Sequence, residues 1–294
     1  MSVLAGDLTT RIVAAGLDPD RLAALVGAAI DEDLGGGSDV TTLATIGPDR
    51  HDTAEFVVRE AGVVAGLLVA EVTMALVSGG TAIVEGPVLE GVSVEAGTVA
   101  LSVRGSTAHL LTGERVALNF VRHLSGVATL TRRFVVAVEG TGAVILDTRK
   151  TTPLLRELEK YAVRCGGGTN HRMTLSDMAL VKDNHILAAG GIAAAYAKVR
   201  GLAGTIPVEI EVADVAGARE AVDAGATRLL LDNMPPAQLR ACVEAVGHRA
   251  QLEASGGITL ETVRPIAESG VDFISVGALT HSAPNLDVAM DLRG

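Results

Sequence analysis

RLLLDNMPPAQLRACVEAVGHRAQLEASGG, residues 228–257, holds one complete strand, helix and strand in succession. Leu229 to Leu231 make an apolar run that stops at Asp232, and Leu239, Cys242, Val243 and Val246 share one helical face. AQLEAS then ends at Ser255, ahead of Gly256 and Gly257. A unit of this kind implies parallel pairing through a right-handed crossover.

Working outward, the unit recurs. AVILD ends at Asp147, MALVK at Lys182, IPVEIEV surrounds Glu211, DFISVG ends at Gly277, and Val263, Ile266, Ala267 and Gly270 share a further helix face. Nearly continuous apolar strands that end in Asp, Lys, Glu, Asp and Ser suggest a (β/α) barrel, whose C-terminal rim carries function. An open doubly wound sheet would give similar strands, and six strands are fewer than a complete barrel holds. The expectation is an α/β protein with an incomplete, TIM-like barrel.

Before residue 140 the pattern differs. Leu22, Leu25, Val26, Ala29 and Ile30 mark an amphipathic helix that ends at Gly35 to Gly37. GGGSDVTT lacks the lysine of a phosphate-cradling P-loop and reads as a turn. From Ala54 to about Arg104, runs such as AEFVVREAGVVAG and VSVEAGTVALSVRG read as a small antiparallel sheet. A helix follows over Thr112 to Phe134, with Arg115, Asn119 and Arg122 on a polar face. The expected division is an N-terminal α/β sandwich over 1–120, the barrel over 121–280, and a 281–294 segment packing back on the first domain.

Composition narrows the function classes. A net charge of −11 and a pI near 5.1 argue against nucleic acid, which demands a dominant positive field. No stretch approaches an uninterrupted apolar span, so no membrane role is expected. Charged residues early in the chain and only two cysteines, Cys165 and Cys242, fit a reducing, cytoplasmic setting.

Against that acidic background, 147–182 concentrates Arg149, Lys150, Arg164, His171, Arg172 and Lys182. Arginine forks match planar carboxylates and lysine offers a mobile charge, so the group suits a multiply anionic small molecule. Thr152 and Pro153 read as a helix start, Leu154, Leu158, Tyr161 and Ala162 as its buried face, and Arg156, Glu157, Glu159 and Lys160 as solvated charges. Ser255 to Gly257 and Gly277, after late strands, offer backbone N–H groups to a phosphate. Glu211 and Asp232 suit a hard cation such as magnesium, while the histidines lack zinc spacing.

DTRKTTP, KYAV with GGG, NHR, KDNH, EIEV, LLDN, EASGGI and SVGALTH, in this order, resemble the quinolinate phosphoribosyltransferase family from about Asp31 to Asp287. The resemblance implies an N-terminal sandwich, an incomplete barrel, and a decarboxylating pentosyltransferase of NAD biosynthesis. Its substrates would be quinolinate and phosphoribosyl pyrophosphate with magnesium; nicotinate mononucleotide, pyrophosphate and carbon dioxide would leave. By motif match Arg149, His171, Arg172 and Lys182 surround quinolinate, and Arg115 enters from the neighbouring subunit of a homodimer, with a higher assembly of dimers open. Glu211, Asp232, Ser255, Gly256, Gly257 and Gly277 would hold the metal-bound sugar phosphate, and Lys150 the pyrophosphate. Lys150, Lys182, Glu211 and Asp232 are the expected catalytic set. One departure is Leu154, where many members carry glycine, and it puts the geometry of that loop in question. Alternatives are a phosphoribosyltransferase for another aromatic acid, or a Schiff-base lyase using Lys182.

Overall fold

Three helices open the chain, the second and third each capped by an aspartate, in a computed structural model that describes residues 4–86 and 88–293. They are α1 (Gly6–Ala14), α2 (Pro19–Leu34) and α3 (Val40–Thr45). Asp18 caps α2 by accepting from the Asp20 and Arg21 amides, Pro19 sits in its first turn, and Gly35 ends it at φ 59°. Asp39 caps α3, so GGGSDVTT is a turn and helix start.

Next come β1 (His51–Val58), β2 (Gly62–Val63), α4 (Leu67–Ser78), β3 (Ile83–Glu85), β4 (Ser93–Val94), β5 (Val99–Ser106) and α5 (Thr107–Ala137). The β-rich reading of this span overlooked α4. Apolar on all sides and almost wholly buried, α4 offers no stripe for periodicity to find.

The rest of the chain supplies β6 (Val144–Leu146), α6 (Arg156–Cys165), β7 (Ala179–Val181), α7 (Asp183–Ala189), α8 (Ile192–Ala203) and β8 (Val208–Val212). It continues through α9 (Val215–Asp223), β9 (Arg228–Asp232), α10 (Pro236–Val246), β10 (Gln251–Ser255), α11 (Val263–Ala267), β11 (Phe273–Ser275), α12 (Ala278–His281) and β12 (Val288–Arg293). The chain divides into two compact units. One takes the residues up to Leu130, Glu157–Gly167 and those from Ala283 on; the other takes Thr131–Arg156 and Gly168–Ser282.

In the first unit an antiparallel sheet runs β12-β1-β5-β3, with β2 and β4 as a separate pair. Phe56, Val58, Val103, Leu110, Val121, Leu286 and Val288 share its core. Full burial of such side chains contributes about 1.5–3 kcal/mol each. Gly126 of α5 lets the chain near Pro284 pass close by, since a Cβ there would lie 2.0 Å from the Pro284 carbonyl oxygen.

Six parallel strands form the second unit in the order β6-β11-β10-β9-β8-β7. This is chain order around a ring whose seam lies between β6 and β7, the incomplete barrel expected from the strand repeats. At that seam only an isolated bridge from Leu146 to Thr169 extends the pairing.

The α6 region corrects the sequence reading. The helix begins at Arg156, not at Thr152 or Pro153. Leu154 is 88% exposed and sits at φ 68°, a left-handed conformation that stops the helix from starting earlier. Leu158, Tyr161 and Ala162 do face inward. The charges taken as solvated are not all so: Glu159 and Lys160 are fully buried, and Glu159 meets His123 Nε2 at 2.9 Å. A buried charge survives folding when it has a partner.

Candidate active site

Side chains two residues apart on a strand point the same way, and this parity builds a pocket at one end of the six-stranded sheet. Leu180 and Lys182, Glu211, Leu230 and Asp232, Glu253 and Ser255, and Ser275 line it from successive strands and strand ends. Thr148, Arg149, Lys150, His171, Arg172, Asn233, Gly256 and Gly257 complete a cavity of about 460 Å³.

One wall is cationic. The fully buried Asp147 accepts from the His171 amide at 2.9 Å and from Asn170 Nδ2 at 2.6 Å, which sets the segment carrying His171 and Arg172. Arg172 Nη1 donates to the Met178 carbonyl at 2.9 Å. Burial, then the like charge of Arg149, lowers the Arg172 pKa. The buried Nε of Arg149 has no hydrogen-bond partner. Two guanidiniums repelling one another in a half-buried wall, one with an idle donor, make a receptor for an anion.

Lys150 is anchored through its backbone: its amide donates to Thr148 Oγ1 at 3.0 Å, and its carbonyl accepts from Thr280 Oγ1 at 2.8 Å. Arg156 ties the two cationic loops together. Its Nε donates to Thr151 Oγ1 at 3.1 Å, Nη1 to the Met173 carbonyl at 3.1 Å and Nη2 to the Arg149 carbonyl at 3.4 Å. This too replaces the expectation of a solvated charge.

The opposite wall is acidic. Lys182 Nζ lies 3.9 Å from Glu211 Oε2. Burial raises the Glu211 pKa; Lys182 opposes the shift, and Asp232 adds to it. Asn233, at φ 54°, bonds Asp232 Oδ2 through Nδ2 at 2.9 Å and donates its amide to the Ser255 carbonyl at 2.8 Å. Gly256, at φ 102°, is required here, because a Cβ would lie 2.1 Å from Asn233 Oδ1.

Below these walls lies a buried ionic cluster. His171 Nε2 is 3.1 Å from Glu209 Oε2 and 3.2 Å from Glu253 Oε2. Arg228 reaches Glu209 Oε1 with Nε at 2.9 Å and Glu253 Oε2 with Nη2 at 3.0 Å, and it lies 4.7 Å from the Phe273 ring centroid. Burial opposes a charged imidazole, but the bonds to Glu209 and Glu253 outweigh it and raise the His171 pKa to about 9. The Arg172 amide donates to His171 Nδ1 at 2.8 Å, which opposes a second proton there. Both demands leave a proton on Nε2, and that shared requirement fixes the ring's donor.

Of the residues expected from sequence, Arg149, Lys150, His171, Arg172, Lys182, Glu211, Asp232, Ser255, Gly256 and Gly257 line the one cavity. Gly277 does not line it, but its position abuts Lys150, 3.3 Å from a Cβ placed there to Lys150 Cδ. Arg164 does not join either; it donates to the Ala15 carbonyl at 2.6 Å. Arg115 belongs to the first unit, where it is 54% exposed with Glu114 3.9 Å away. Sequence reasoning missed Glu209, Arg228 and Glu253, although stepping back by twos from Glu211, Asp232 and Ser255 reaches all three.

A barrel of parallel strands with a rim pocket of facing guanidiniums, lysines and a carboxylate pair defines an enzyme for polyanionic substrates. Comparisons with known proteins make this specific. Residues 39–125 match the family model for the quinolinate phosphoribosyl transferase N-terminal domain, and 127–291 the model for its C-terminal domain. The chain belongs to the quinolinate phosphoribosyltransferase family. It is 44% identical over 272 residues to the nicotinate-nucleotide pyrophosphorylase [carboxylating] of Mycobacterium leprae, covering 90% of this chain and 94% of that protein. The chloroplastic enzyme of the same name from Arabidopsis thaliana is 41% identical over 290 residues, or 92% of this chain and 82% of that one. The crystal structure of NadC from Streptococcus pyogenes superposes with a TM-score of 0.89 at 39% identity, across 95% of this chain and 97% of that chain.

Proposed function

We propose that this chain transfers a phosphoribosyl group from phosphoribosyl pyrophosphate to the ring nitrogen of quinolinate. Pyrophosphate and carbon dioxide leave, and nicotinate mononucleotide is the product. The observation that carries the reading is the pairing of Arg149 with Arg172, which burdens Arg172 with a like charge while Arg149 Nε lacks a partner. A dicarboxylate relieves both.

The ring nitrogen is a neutral nucleophile that needs orientation more than activation. Arg149, Arg172 and Lys182 surround the two carboxylates, with the His171 ring holding the Arg172 amide beneath them; Lys150, Glu211 and Asp232 remain for the sugar and its leaving group. Glu211 and Asp232 offer hard oxygen donors, and the charge of Asp232 raises the Glu211 pKa, which supports a magnesium site between them. Bound there, the ion would neutralise charge on the departing pyrophosphate. The amides at Gly256 and Gly257, both at positive φ, suit a phosphate. Once the ring nitrogen is quaternised, its positive charge stabilises the electron pair that carbon dioxide leaves on the adjacent ring carbon, and that carbon then takes up a proton from solvent. Loss of carbon dioxide from a carboxylate held by cations would otherwise be opposed, so electron withdrawal by the quaternised ring drives it.

A lyase acting through a Lys182 imine has less support. Lys182 is half exposed and faces Glu211, whereas imine-forming lysines sit in apolar surroundings that free the amine. Purified protein with magnesium, quinolinate and phosphoribosyl pyrophosphate is expected to yield nicotinate mononucleotide. Equal turnover of nicotinate, which has one carboxylate, would replace quinolinate as the substrate.

The working unit in this reading is a homodimer in which Arg115 enters the partner's site; its exposure and loose pairing leave it available. Among the described residues no single helix is long and apolar enough to cross a membrane, and both cysteines are free. These features support a cytoplasmic enzyme.

A further inference from the structure

Glu209 and Glu253 are both fully buried, directly under a pocket assigned above to a dianion. The ligand atoms of His171, Glu209 and Glu253 lie within 4.8 Å of one another. Unbalanced, two carboxylates in that position would repel the substrate, repel each other and turn away from the imidazole. Arg228 prevents this from the strand between them: β9 pairs with both β8 and β10, and its first residue sends one nitrogen to each acid. Phe273 on β11, beyond β10, has its ring against the guanidinium and restrains it further.

We propose that Arg228 is a positioning residue for the quinolinate half of the site: it clamps Glu209 and Glu253 so that both accept from His171 Nε2, and the ring so held accepts at Nδ1 from the Arg172 amide, which fixes Arg172 against the substrate's carboxylate. This rests on the function proposed above. His171 lies in a loop, and its backbone amide donates to Asp147; its ring is fixed at Nε2 by the two carboxylates and at Nδ1 by the Arg172 amide. The charges around it are Glu209 from β8, Arg228 from β9, Glu253 from β10, and Arg172 and Asp147 from its own loop and the end of β6. Ser275 on β11 favours the charged form of Glu253, yet Glu253 Oε1 itself has no hydrogen-bond partner. Histidine and two glutamates are also metal-ligand types, but Arg228 already supplies the positive charge that this cluster needs, so a metal ion is not required.

Steady-state KM values for quinolinate and for phosphoribosyl pyrophosphate, measured separately on the full chain, test the assignment. Arg228→Met removes the cation that balances the buried carboxylates and is expected to raise the quinolinate KM roughly tenfold or more, with the other KM changed less than about threefold. Arg228→Met combined with Glu253→Gln restores the net charge of the wild-type cluster and is expected to recover most of the loss. Equal changes in both KM values, or a double variant no better than the single one, would overturn the proposal. Should Arg228→Met not fold, Arg228→Lys carries the test: it keeps the charge, loses the fork, and must still affect quinolinate selectively.

Inactivity of the wild-type chain would instead break the functional reading. The positioning role is then read without turnover, from the imidazole proton of His171 by nitrogen-edited NMR. A slowly exchanging Nε2 proton in the wild type that is lost in Arg228→Met supports the clamp. A signal unchanged by the substitution, or displaced by titrating zinc alone, overturns it.

Discussion

Arg156 Nη1 donates to the Met173 carbonyl at 3.1 Å, so a residue in the first turn of α6 sets the loop that follows His171 and Arg172. The same guanidinium also bonds Thr151 and the Arg149 carbonyl. Arg156→Met is expected to fold and to lower kcat/KM for quinolinate by about 10- to 100-fold, since displacements near 1 Å cost that much. Lysine cannot reproduce three diverging bonds, so Arg156→Lys should not rescue. Activity within a factor of two of wild type in either variant would remove the latch from the mechanism.

Arg172 supplies a fork as well as a charge. Arg172→Lys keeps the charge and loses the bidentate geometry, at a cost of about 1.5–3 kcal/mol for a hydrogen bond to a charged group. Quinolinate binding should therefore weaken at least about tenfold, with phosphoribosyl pyrophosphate binding nearly unchanged. Equal losses in two calorimetric titrations would count against the assignment.

Leu154 occupies φ 68° with its side chain 88% exposed, so it carries backbone strain with little packing in return. At an ordinary position alanine is more stable than glycine; here the order should invert. Leu154→Gly is expected to exceed Leu154→Ala in unfolding free energy by about 1 kcal/mol. Denaturant melts of the two variants decide it, and an alanine variant of equal or greater stability would contradict the strain.

Glu90 is half-buried, and desolvation raises its pKa to about 7, against the Leu68 and Gly66 amides that lower it. The folded state then binds more protons than the unfolded chain between the ordinary value of 4.5 and about 7, so stability falls as pH rises through that window. The full loss is on the order of 3 kcal/mol. Glu90→Gln should abolish that slope whatever it does to stability at a single pH. Melting curves of wild type and variant that run parallel from pH 4.5 to 7 would refute it.

Arg115 gives the assembly a direct test. Arg115→Ala and Lys182→Ala are each expected to be inactive and folded. Mixed after dissociation, they should recover roughly a quarter of wild-type activity, as random pairing with one intact site per mixed dimer requires. Verified mixed dimers with no recovery would exclude a site shared across the interface.

The barrel was legible because four of its six strands run into a residue that contrasts with the apolar run before it: Asp147, Lys182, Asp232 and Ser255 mark their own positions. The buried ionic tier was hidden by the same contrast. Glu209 and Glu253 sit within strands whose polar ends drew attention away from them, and Arg228, at the start of β9, reads as a surface residue until its partners are known. Arg156 was misjudged because helical spacing says which residues share a face, not what faces them. Leu154 was read in two ways: as part of a buried helix face, which its exposure contradicts, and as a departure from glycine that put the loop's geometry in question, where the backbone is in fact left-handed.

The pairing of β12 with β1, in register from Thr53 with Arg293 to Val58 with Val288, bears on how the molecule comes into being. Every strand of the barrel is synthesised before the strand that flanks β1 exists. During translation, then, one edge of the first sheet waits with its hydrogen-bonding groups uncovered while a whole second domain emerges, and such edges recruit other chains. The nascent polypeptide is most prone to aggregate in that interval, and the emergence of β12 ends it.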